Sequence, residues 1–113
     1  MRWFAMVVVL AAVLSSTAAR SQESADVRRG LTYARAVCAE CHGVEAMDVG
    51  SPNAVAPTFK AVANTPGMTK TTLIVWMQSN HRSMPNFIVP VGDRDAVIDY
   101  ILGLKDNPSD TSH

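Results

Sequence analysis

The stretch Cys38-Ala39-Glu40-Cys41-His42 decides how this 113-residue chain is read. Two thiols at i and i+3, followed directly by a histidine, form the attachment pattern of a c-type haem. On the last turn of a helix that spacing puts both sulfurs on one face. They can then form thioethers to the two vinyl groups along one edge of a single porphyrin, and His42 can turn its imidazole under the ring and bind the iron. A Cys-x-x-Cys pair also serves as a disulfide, a thioredoxin-like redox pair or half of a zinc site. Zinc takes about four ligands, and only His81 and His113 remain as further histidines, with no second cysteine pair. A thioredoxin-like pair would need a βαβ setting, and no strand-like run precedes Cys38.

Outward from the motif, the N-terminus reads as an export signal. Arg2 supplies a positive start, Phe4 to Leu14 an apolar run, and Ser15 to Ser21 a small-residue stretch. The run is short for a membrane span, which takes about 20 residues; an uncleaved anchor is the alternative reading. Cleavage is expected after Ala19 or Ser21, so residues 1–21 are the expected leader and the product is expected in the periplasm, with no membrane span. Cutting after Ser21 leaves 92 residues, enough for one small domain (22–105) and a polar, mobile tail (106–113). A domain of this size buries only about 60–65% of its unfolded surface, and a covalently held apolar cofactor would complete its core.

The chain carries ten Lys and Arg against ten Asp and Glu. Without Arg2 and Arg20 the balance is eight against ten, a net charge near −2 before any haem propionates. That is not the basic footprint of a nucleic-acid-binding protein. In an oxidising compartment free thiols tend to pair, and thioether formation would remove both cysteines from that chemistry.

The remaining pattern is helical, with no convincing strand, repeat or second domain. Ser24 is the expected N-cap of a first helix running to about Cys41, with Val27, Leu31, Ala34 and Cys38 at helical spacing. Gly30 inside it costs about 1 kcal/mol relative to alanine and, with Tyr33 three residues on, suggests a close helix crossing; a tolerated surface glycine is the other reading. Residues 43–57 show no period, and Gly50, Ser51, Pro52 and Asn53 mark turns. A loop this long in a small domain is usually functional or pinned. Thr58 to Asn64 is expected to form a short helix. Thr69 is expected to cap a clearer one through about Ser79, with Leu73, Trp76 and Met77 as core. The last helix is expected from Gly92 or Asp93 to about Leu104, burying Val97, Tyr100, Ile101 and Leu104.

A second iron ligand is sought among Met47, Met68, Met77, Met84, His81 and His113. Met77 belongs to a helix face, Met47 and Met68 flank loops without a rigid presenter, and His113 ends the tail. Met84 precedes Pro85, which holds it out of the helical region, and lies 42 residues after His42. Met84 is the preferred ligand and His81 its rival.

Gly30-x-x-Tyr33, the Cys38–His42 box, Ala56-Pro57-Thr58-Phe59, the Trp76 helix, Met84-Pro85-Asn86-Phe87 and Asp99-Tyr100-Ile101-Leu102 occur in this order. Together they resemble a small monohaem bacterial class I cytochrome c, over about Ser24 to Lys105. The resemblance implies an all-α class I cytochrome c fold, several short helices and long loops wrapped around one covalently bound haem. It implies Cys38, Cys41, His42 and Met84 as the haem-binding residues, with His42 and Met84 as iron ligands. Gly30 and Tyr33 would pack on the last helix near Tyr100, the Pro57 carbonyl would accept a hydrogen bond from the His42 ring, and Trp76 and Phe87 would wall the pocket. One departure is Pro90-Val91-Gly92, where such sequences often carry Ser or Thr before the last helix. The expected function is a monomeric, non-enzymatic electron carrier, shuttling between a dehydrogenase or quinol-oxidising complex and a terminal acceptor through transient redox partners. The alternatives are an electron-entry subunit of one enzyme complex, or a ligand-binding or peroxidatic haem protein if Met84 is labile.

Overall fold

The computed structural model describes residues 2–79, Met84 and 88–111. Among them the fold is all-α, with no strand: α1 (Arg2–Tyr33), a π-turn (Ala34–Cys38), α2 (Phe59–Ala63), α3 (Lys70–Gln78), α4 (Val91–Gly103) and a short 3₁₀ turn (Pro108–Thr111). None of these helices is long and apolar enough to cross a membrane.

Helix α1 starts well before the expected cap. Ser24 lies inside it, as do both expected cleavage sites. The reason is compositional: residues 2–33 hold no proline and a single glycine, so nothing interrupts propagation once the helix is nucleated. The other boundaries follow their caps closely. Thr58 Oγ1 accepts from the Ala61 N–H at 3.1 Å, starting α2, and Thr69 Oγ1 accepts from the Thr72 N–H at 3.2 Å, starting α3. Both hydroxyls satisfy an amide left without an intrahelical partner. Helix α4 begins at Val91, just after Pro90, with Asp93 in its first turn where a carboxylate favours the positive end of the helix dipole.

The tertiary frame is the crossing of α1 on α4. Gly30 is buried there, and a Cβ built on it would overlap the Ala96 carbonyl oxygen and lie 3.0 Å from Tyr100 Cβ. Glycine is what lets the two backbones approach. The close-crossing reading of Gly30 and its packing near Tyr100 therefore hold. Arg29 reinforces the crossing by donating to the Gly92 carbonyl at 2.6 Å. Helix α4 is the centre of the core: Ala96, Val97, Ile98, Tyr100 and Ile101 are all buried, covering more than one face, because α1, α2 and α3 pack around it. Ala34, Phe59, Ala63, Met68, Leu73 and the loop residue Val44 complete the core.

Trp76 corrects an expectation. It is 51% exposed, not core. The buried arc of α3 runs from Leu73 through Met77 to Ile74, and at 100° per residue Trp76 lies about 100° from its middle. Met68, in the connection between α2 and α3 as expected, is nevertheless buried in the core.

The far end of α4 is stitched to α2. Asp106 donates its N–H to Asn64 Oδ1 at 2.9 Å, Lys60 pairs with Asp106 at 3.3 Å, and Lys105 Nζ reaches the Met68 carbonyl at 3.3 Å. The expected mobile tail thus begins with an anchored residue.

Candidate functional site

The π-turn sets up the motif. The Ala39 N–H bonds the Ala34 carbonyl at 2.9 Å, a wider i to i+5 ring at the end of α1. Such bulges rotate the residues that follow and occur often at functional positions. A helical turn then resumes over the box: the His42 N–H bonds the Cys38 carbonyl at 2.9 Å and the Cys41 N–H bonds it at 3.2 Å. Both cysteines are free and half-buried. Cys38 packs against the core beside Ala34 and Ala39.

Burial pushes the Cys38 thiol up to about 11. A catalytic or redox-active thiol needs the opposite shift, towards thiolate at neutral pH. Cys38 therefore lacks the electrostatics of a thioredoxin-like nucleophile. Among the described residues no three His, Cys, Asp or Glu side chains converge as a metal cage, so Cys38, Cys41 and His42 do not form a zinc site together. What the pair retains is two adjacent thiols on one helical turn.

His42 is held through its other nitrogen. Its Nδ1 lies 2.7 Å from the Pro57 carbonyl oxygen. A carbonyl can only accept, so Nδ1 carries a proton, and in the neutral ring this leaves the lone pair on Nε2. The expected His42–Pro57 contact is present. Phe59, two residues on and buried, packs a tilted ring 5.5 Å from the imidazole, and Tyr100 stands 6.5 Å beyond Phe59. Tyr100 in turn donates its hydroxyl to the Val44 carbonyl, so its polar end is satisfied inside the core.

Residues 43–57 form a loop hooped back on the motif. The Phe59 N–H bonds the Gly43 carbonyl at 2.8 Å, the Asn53 N–H bonds the Cys41 carbonyl at 3.1 Å, and the Gly43 N–H bonds Ser51 Oγ at 2.9 Å. Arg35 grips Glu45 in a bidentate pair, with Nη2 to Oε2 at 2.9 Å. A shallow cleft of about 450 Å³ lies between that pair, His42 and the loop. Turn chemistry marked Ser51 and Asn53 as loop residues, but only the folded chain shows which amide or carbonyl each one meets. Nothing in the spacing of Arg35 and Glu45 pointed to their pairing.

The structure gathers Cys38, Cys41, His42 and Pro57 into one site with Phe59. Met84 is half-buried in the connection between α3 and α4. Its neighbours His81, Pro85 and Phe87, and also His113, lie outside the described residues. Of the other methionines, Met47 is 88% exposed, Met68 is in the core and Met77 packs against it. No family model, curated protein or solved structure matches the chain.

Proposed function

We propose that this chain is a periplasmic one-electron carrier of the class I cytochrome c kind, with Cys38 and Cys41 holding one haem c and His42 and Met84 ligating its iron. The observation that carries the reading is the His42 Nδ1–Pro57 hydrogen bond at 2.7 Å beside two free thiols. A metal-binding histidine characteristically donates its second ring N–H to a carbonyl or carboxylate, which fixes the tautomer and raises the basicity of the ligating nitrogen. The donor set fits. Nε2 is the free lone pair, and both sulfurs are unpaired and one helical turn apart.

When bound, haem would supply reversible one-electron chemistry, and holding its iron by Met84 as well as His42 would raise its potential relative to two histidines. The chain's own residues do the rest. The core against which Cys38 packs is largely apolar: no charged side chain is buried among the described residues, and the Tyr100 hydroxyl inside it is satisfied by the Val44 carbonyl. Such surroundings exclude water and disfavour added positive charge. Met84 is the methionine that packing leaves available, since Met68 and Met77 serve the core and Met47 faces solvent. With His42 and Met84 both holding the iron, no position would be left for a substrate, and the bound group would serve as an electron carrier.

Two measurements test the reading. Protein isolated from the periplasm should retain haem after denaturation and, in the ferric form, show the weak far-red band of methionine ligation; haem absent from the denatured chain would dismiss it. Met84→Ala should open the iron to carbon monoxide or cyanide and lower the potential. Unchanged spectra in that variant would move the ligand to His81 or another methionine.

A further inference from the structure

The loop 43–57 contains no helix or strand, yet it delivers one backbone oxygen, that of Pro57, to His42. A long irregular segment places an atom reproducibly only where other contacts pin it. Here the pins can be traced individually. Gly43, next to His42, is buried, and a Cβ there would overlap the Gly50 carbonyl oxygen and lie 3.0 Å from Asp48 Cβ and 3.1 Å from Thr58 Cγ2. The returning limb is thus packed directly on the residue after the histidine. Ser51 Oγ accepts from the Gly43 N–H, which clamps that limb. On the outgoing limb Arg35, three residues before Cys38, holds the Glu45 carboxylate with two parallel hydrogen bonds. The Glu45 N–H is itself capped by Asp48 Oδ2 at 2.9 Å. Both limbs are therefore fastened, one to the turn carrying the cysteines and the other to the amide beside the histidine.

We propose that Ser51 and the Arg35–Glu45 pair are positioning residues for His42, holding the Pro57 carbonyl on Nδ1 and thereby setting the orientation and donor strength of the imidazole. The inference rests on the reading of His42 as the iron ligand. Exposed ion pairs contribute little to global stability, and Arg35 and Glu45 are largely exposed, at 57% and 42% of their side-chain surface. Their removal should therefore act on the histidine more than on the fold. Losing the carbonyl weakens the Nδ1–H bond, makes the imidazole a poorer donor and disfavours ferric iron, so the potential rises.

The experiment uses Ser51→Ala, Glu45→Gln and the conservative Ser51→Thr in the full chain. In the haem-free protein, the Nδ1–H proton of His42 is followed by NMR and should exchange with water at least tenfold faster in the first two variants, with unfolding midpoints little changed. Ser51→Thr keeps a hydroxyl acceptor and should restore slow exchange. In the haem-loaded protein the same two variants should have a raised midpoint potential. Unchanged exchange, or a Ser51→Thr variant as fast as Ser51→Ala, overturns the clamp while leaving the ligand assignment intact. Faster exchange with an unmoved potential overturns the claim on donor strength. A chain that takes up no haem overturns the ligand assignment, and this inference with it.

Discussion

Gly30→Ala probes the contact on which the tertiary frame depends. The added Cβ would overlap the Ala96 carbonyl oxygen and stand 2.5 Å from the carbonyl carbon and 3.0 Å from Tyr100 Cβ. Carbon atoms pack comfortably at about 3.5–4.0 Å, so α1 and α4 must part by about 1 Å. The obstacle is helix backbone, which cannot swing aside as the end of a side chain would. A gap of that size forfeits a quarter to a half of the dispersion energy of the atoms facing it, and overpacking of this kind costs about 1–3 kcal/mol, at the upper end where backbone is struck. Helix propensity acts the other way by about 1 kcal/mol. The net expectation is a loss of about 2 kcal/mol. For a domain this small that lowers the melting temperature by about 8–16 °C and the urea midpoint by about 2 M. Circular dichroism at the helical band follows both transitions. Gly103→Ala is the control: a Cβ there meets nothing within 4 Å, so it should be neutral or gain up to about 1 kcal/mol. A Gly30→Ala midpoint equal to or above that of the unmodified chain would refute the crossing argument, because propensity alone gives that result.

Other predictions concern the site and the helix beside it. In the haem-free chain at pH 8, alkylation of Cys38 should be about 100-fold slower than in the unfolded chain, reflecting a thiol pushed from its ordinary 9.0 to about 11; equal rates would show that the thiol is not held in the core. The Glu45 carboxyl is held below its ordinary value by the hydrogen bond from Arg35, so it binds a proton more weakly folded than unfolded. The pairing therefore stabilises above the ordinary carboxylate range and is lost as pH falls through the lowered folded value. The small difference in urea midpoint between the unmodified chain and Glu45→Gln should be confined to neutral pH and vanish in acid; a difference that persists unchanged in acid would rule this out. Leu73→Ala should cost about 2–5 kcal/mol, since Leu73 is buried. Trp76→Ala should cost far less in the haem-free chain, and the reverse order in thermal melts would restore Trp76 to the core.

Much of the local structure was legible because it rests on single residues acting through short range. Thr58 and Thr69 each announce a helix start, since a hydroxyl two or three residues before an amide finds it without help from the rest of the fold. The box Cys38–His42 was legible for the same reason. Its spacing is a property of one helical turn, and the turn is there. Where a competing local effect existed, the reading slipped. Ser24 is a good cap, but a cap starts a helix only where the preceding residues leave it, and here residues 2–23 are helical. Trp76 shares the period of Leu73 and Met77 closely enough that periodicity cannot separate edge from centre.

Amino-acid order by itself determined the motif, the helical class and the caps, because each depends on neighbours within about four residues. Tertiary structure alone decided how the histidine is held. The Pro57 carbonyl reaches Nδ1 across 15 residues, Ser51 reaches the Gly43 amide across eight, and Arg35 reaches Glu45 across ten, with α4 behind them 63 residues from Arg29. Contacts at such separations carry no period and no propensity. They exist only after the Gly30 crossing has brought α1 against α4 and the loop has closed, which is why the proton on His42 is a property of the fold.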